Sequence, residues 1–186
     1  MTTDKSSSSG LSTLLAYAGA GEGSGRSPPP VHLWNPPHCG EIDIRIARDG
    51  TWFHEGSPIG RAPLVRLFAS VLRKDPDGYV LVTPVEKLKI VVDDAPFIAV
   101  RVDRTTEGLK FLTNVGDEVI AGPEHPLRVA TDPVSGEPAP YVHVRGGLEA
   151  RLARPVFYEL AEMAAPRGGE LGVESGGAWF SLGAPA

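Results

Sequence analysis

The chain has 186 residues, a formal net charge of −5, 41% hydrophobic and 22% charged residues, enough for one domain or two small ones with a real core. No run of Lys or Arg occurs, which excludes general nucleic-acid binding as a reading. The single cysteine, Cys39, leaves no internal disulfide framework and fits a reducing, cytoplasmic setting. No stretch approaches the ~18 continuous apolar residues of a membrane span, so the chain reads as soluble.

In chain order, residues 1–30 read as a disordered tail. Ser6 to Ser9, glycines at 19, 21, 23 and 25, and Pro28 to Pro30 bury too little apolar surface to offset ordering entropy. The glycine alternation lacks the flanking strand and helix of a phosphate-cradling loop. The apolar stretch from Leu11 to Ala20 has a positive end of only Lys5, offset by Asp4, and is interrupted by Ser12, Thr13 and Tyr17. It reads as a short amphipathic or frayed helix rather than as a signal peptide.

Globular patterning begins with the extended segment Trp34 to Pro37. In the N-terminal α+β unit, over 31–92, the strand Ile42 to Ile46 turns at Asp49-Gly50 into Thr51 to His54. A helix follows over Leu64 to Lys74, its apolar residues Leu64, Leu67, Phe68, Val71 and Leu72 at helical spacing, with Pro63 at its first position. Strand-type runs then occupy Tyr79 to Thr83 and Lys87 to Val92.

The C-terminal α+β unit, over 93–186, has strand-type runs at Phe97 to Val102, Leu109 to Thr113, Glu118 to Ala121 and Leu127 to Ala130. Then comes a second copy of the first unit's pattern. Tyr141 to Arg145 turns at Gly146-Gly147 into Leu148 to Leu152, followed by Arg154, Pro155 and a helical stretch over Val156 to Ala165. Strands over Glu170 to Glu174 and Trp179 to Leu182 close the chain. The expected fold is α+β, a duplication of strand–turn–strand–helix units with mostly antiparallel sheets.

Several separated motifs resemble the bacterial family called domain of unknown function 1285. They are Trp34-Asn35-Pro36-Pro37, Asp49 to Trp52, Gly56 to Ile59, Thr83 to Lys87, Asp94 to Phe97, Thr113-Asn114 and Tyr141 to Arg151. The resemblance runs from Trp34 to Gly183, while the tail before Pro28 looks peculiar to this chain. It implies a duplicated core with a C-terminal half like a pleckstrin-homology barrel, and no established enzymatic activity. It also implies a suggested ligand site between the halves, for a nucleotide-like molecule, and a suggested role in signalling.

The residues themselves carry no catalytic signature. His38-Cys39 is unsuited to nucleophile–base work because neighbours in an extended segment point apart, and the five histidines show no metal-ligand spacing. No cofactor is implied. The two helix starts lack the usual Ser, Thr, Asp or Asn cap and have Arg61 or Arg154 beside them, a combination suited to an anion. The structural alternative pairs these arginines with carboxylates such as Glu86 or Glu149. Tyr141, His143 and Arg145 alternate along one strand face that suits either a stacked ring with a charge or plain solvent. Trp52 and His54 share another face, with Trp52 more often core, and Glu86 is a lone candidate acid or base. Two functions compete: a sensor that binds a small anionic, nucleotide-like ligand, and a protein-interaction module with no small-molecule pocket.

Overall fold

A computed structural model describes residues 11–16 and 28–185. Most of the expected tail lies outside the described residues. Of its described residues, 11–16 and 28–30, the first six are helical (α1), with Leu11, Leu14 and Leu15 at helical spacing and Leu14 buried. The chain divides into two compact units, Met1–Asp94 and Ala95–Ala186. Among the described residues no helix is long and apolar enough to cross a membrane.

The first unit contains a 3-10 turn, Val31–Leu33, then β1 (His38–Ile46), β2 (Trp52–His54), β3 (Ser57–Pro58), α2 (Ala62–Ser70), β4 (Leu72–Asp75), β5 (Gly78–Val82) and β6 (Glu86–Val92). These strands form one six-stranded sheet in the order β3-β2-β1-β6-β5-β4. The β1–β2 turn follows from Asp49-Gly50: Gly50 has φ +86°, and the Asp49 carboxylate accepts the Thr51 N–H at 2.9 Å. Strict alternation in β1 buries Ile42, Ile44 and Ile46 and leaves Glu41 and Asp43 exposed. Helix α2 adds Phe68 and Ala69 to the core, with the Phe68 ring stacked 6.3 Å from that of Trp52. Full burial of such a side chain is worth about 1.5–3 kcal/mol.

The second unit contains β7 (Phe97–Arg104), β8 (Leu109–Thr113), β9 (Glu118–Ile120), β10 (Leu127–Thr131), β11 (Pro138–Arg145), β12 (Leu148–Leu152), α3 (Arg154–Glu162), β13 (Ala165–Arg167), β14 (Glu170–Ser175) and β15 (Ala178–Gly183). Its six-stranded sheet runs β10-β11-β12-β7-β8-β9, and β13-β14-β15 form a separate three-stranded sheet. The core includes Phe97, Phe111, Val142, Leu148, Val156 and Leu160. Ser175 fastens the smaller sheet to the larger one. Its buried hydroxyl accepts the Leu109 N–H at 2.7 Å and donates to the Ala121 carbonyl at 2.7 Å.

The two units are similar and sheet-rich, with few helices, so the fold is mostly β where a more balanced α+β was expected. The expected helices are shorter because their ends pair as strands. Leu72 and Arg73 lie opposite Leu81 and Val80 in β5, and Ala165 opposite Gly172 in β14. The expected Pro63 position also moves by one, since Ala62 is the first helical residue.

Pairing is antiparallel throughout apart from one parallel pair at the centre of each six-stranded sheet, β1 with β6 and β7 with β12. Reading the second sheet from its other edge, β9-β8-β7-β12-β11-β10, gives the order of the first sheet with six added to each strand number. Both strand–turn–strand–helix units read from the sequence are present, as β1-β2-α2 and β11-β12-α3. The sheets, however, match β1 to β7 rather than to β11, so α2 lies between two halves of its sheet whereas α3 follows the last strand of its own.

Candidate functional site

Both long helices begin without a side-chain cap, Arg61 being the N-cap of α2 and Ala153 that of α3. Proline is the second residue of each, which removes one of the amides an N-terminus would otherwise offer. At α2 the Leu64 N–H already bonds the Arg61 carbonyl at 3.0 Å. The two arginines differ. Arg154 reaches Glu137 at 3.1 Å in an ion pair with both side chains well exposed. Arg61 is exposed and has no ion-pair partner among the described residues.

Among the described residues neither carboxylate set against these arginines in the sequence pairs with them. Glu149 receives a forked hydrogen bond from Arg128, at 2.7 and 2.6 Å. Glu86 is 8% exposed at the start of β6, and among the described residues its Oε1 has no hydrogen-bond partner. The main chain of Glu86 is tied to Thr83, whose hydroxyl accepts the Glu86 N–H at 3.2 Å.

Tyr141 is buried, and the register explains its surroundings: it lies opposite Arg128 on β10 and Arg151 on β12. The two guanidinium groups stand 4.3 and 6.0 Å from its ring centre, so the face offered for ligand stacking is already stacked. Arg151 is held in turn by the buried Asp132, with both Nη atoms 3.2 Å from Oδ2. Arg128, Arg151 and Asp132 had no signal in the sequence, because only strand pairing brings them to Tyr141.

His143 shares the Tyr141 face. Its Nε2 accepts the Gly147 N–H at 3.1 Å, so Nδ1 carries the proton and donates to the Glu124 carbonyl at 3.0 Å. The His125 ring stacks on it with centroids 5.8 Å apart. Arg145 does not join them. A β-bulge between His143 and Arg145 sets Arg145 opposite the buried Leu148, with its guanidinium 5.2 Å from the Phe97 ring and 3.5 Å from Asp117. The expected alternation of three residues therefore holds for two.

In the first unit Trp52 is core, and His54 is half-buried at the end of β2 opposite Ile44 and Ser57. Shallow clefts occur in each unit. One of about 310 Å³ is lined by Cys39, Glu41, Asp77, Val80, Lys87 and Lys89, and one of about 350 Å³ by β10 and β15 residues including Val129, Thr131 and Leu182. Neither includes one of the candidate ligand-binding residues, although Cys39, weighed and set aside as a nucleophile, lines the first. Both lysines of the first cleft are paired, Lys87 with Asp75 and Lys89 with Asp77. Among the described residues no group of three or more His, Cys, Asp or Glu is placed to hold a metal ion.

Residues 29–95 match the model of "Domain of unknown function (DUF1285), N-terminal domain", and residues 96–182 that of "Protein of unknown function (DUF1285), C-terminal domain". The chain belongs to the DUF1285 family. A DUF1285 family protein from Silicibacter pomeroyi is similar to it at 53% sequence identity, covering 92% of this chain and 94% of its own, with a TM-score of 0.84. A second DUF1285 structure, from Shewanella baltica, is 28% identical over 64% of this chain and 90% of its own, with a TM-score of 0.53. No protein of curated function matches the sequence.

Proposed function

We propose that this DUF1285 protein binds a small anionic ligand, nucleotide-like in carrying phosphate, and acts as a sensor in signal transduction, with Arg61 as its first contact. The observation that carries the reading is Arg61 itself: an exposed guanidinium, without an ion-pair partner among the described residues, at the uncapped start of α2. A guanidinium suits phosphate because it donates two parallel hydrogen bonds, and a positive dipole end beside it favours the same charge. Arg154 is the weaker contact, since a ligand there would compete with Glu137. The same reading takes the second unit to be a pleckstrin-homology-like barrel.

A thermal-shift screen against inorganic phosphate and a panel of nucleotides tests it. At ~100 times the dissociation constant a ligand should stabilise the fold by about 2.7 kcal/mol. Arg61→Ala should weaken that ligand roughly ten- to hundredfold, the worth of a charge-assisted hydrogen bond. The melt without ligand should stay in place because Arg61 is exposed, and Arg61→Lys should recover part of the binding. Unchanged affinity in Arg61→Ala overturns the assignment. A protein-interaction module with no small-molecule pocket is the second reading. In that case no phosphate-bearing compound shifts the melt.

A further inference from the structure

We draw no further inference here: the strongest candidate, the cleft of about 350 Å³ between the β10 and β15 edges of the second unit, is lined mainly by apolar and small residues, and nothing in the structure shows what covers it.

Discussion

Asp75 is the residue through which the first unit's charges hold its N-terminal segment. Its side chain is 12% exposed and accepts from Arg73 at 2.6 and 3.1 Å and from Lys87 at 3.0 Å. Arg73 uses its remaining Nη1 on the Val31 and Trp34 carbonyls, at 2.8 and 2.7 Å. The Arg73 hydrogen bond above all, with help from Lys87, holds the Asp75 carboxyl below the usual carboxylate range despite burial. A carboxyl depressed in this way adds stability above the unfolded value near ~4 and loses it as the pH falls through the folded value. Asp75→Asn is therefore expected to cost about 1.5–3 kcal/mol at pH 7, the worth of hydrogen bonds to a charged group. The gap to wild type should narrow below about pH 4. Urea unfolding at pH 7, 5 and 3 checks this, and a gap that stays constant contradicts it. Residue scale is also where the sequence was least legible. Arg61 and Arg154 each stand just ahead of a helix-opening proline, yet among the described residues only Arg154 meets a carboxylate, supplied by a loop 17 positions earlier. The bulge that turns Arg145 away from His143 leaves the local pattern of residues unchanged.

At the scale of elements, the second unit depends on one hydroxyl and one glycine where two sheets meet. Ser175→Ala would leave the Leu109 N–H and the Ala121 carbonyl without their partner in a site that water does not reach. Each such orphan costs about 1–3 kcal/mol, so the variant should unfold at lower denaturant and exchange the Leu109 amide faster. Unaltered exchange at Leu109 would show that the hydroxyl is not the fastening. Opposite it, Gly108 has φ +146°, and an added Cβ would fall 2.5 Å from Ser175 Oγ and 2.8 Å from the Gly176 nitrogen. Gly108→Ala combines backbone strain with a clash against main chain, and its thermal midpoint is expected to fall further than that of an alanine placed at Gly136, where nothing lies within 4 Å. A smaller loss at 108 than at 136 would contradict the close approach. Elements were the most legible scale. Alternation in Ile42 to Ile46 and Lys87 to Val92, and turn pairs such as Gly146-Gly147, placed β6 and β12 within a residue, and also the ends of β1 and β11, though these begin at His38 and Pro138, ahead of the expected Ile42 and Tyr141. The misses share a cause. Leu72-Arg73-Lys74 continues a helical pattern, and only its partners in β5 make it a strand. The two-residue β3 is too short to have a period, and its Pro58 suits an edge.

At the scale of the whole molecule, the sheet order decides how the chain should be cut. Each six-stranded sheet joins two three-stranded meanders through one parallel pair, β1 with β6 in the first unit and β7 with β12 in the second. That pair closes each sheet using strands of its own unit. The family models divide at 95 and 96, next to the same boundary. Each half has its own core, around Trp52, Phe68 and Leu81 in one and Phe97, Phe111 and Leu148 in the other, at a size where single domains fold alone. Fragments 1–94 and 95–186 are therefore each expected to show dispersed amide spectra and a cooperative melt. The residue and element variants make the test sharper, because mutations without shared partners act independently. Asp75→Asn should lower the midpoint of fragment 1–94, and Ser175→Ala that of fragment 95–186, each by about as much in free energy as in the full chain. If neither fragment folds under conditions where the full chain does, the halves are not autonomous. If both fold but each variant costs far less in its fragment than in the full chain, the fragments have not kept the packing around Asp75 and Ser175.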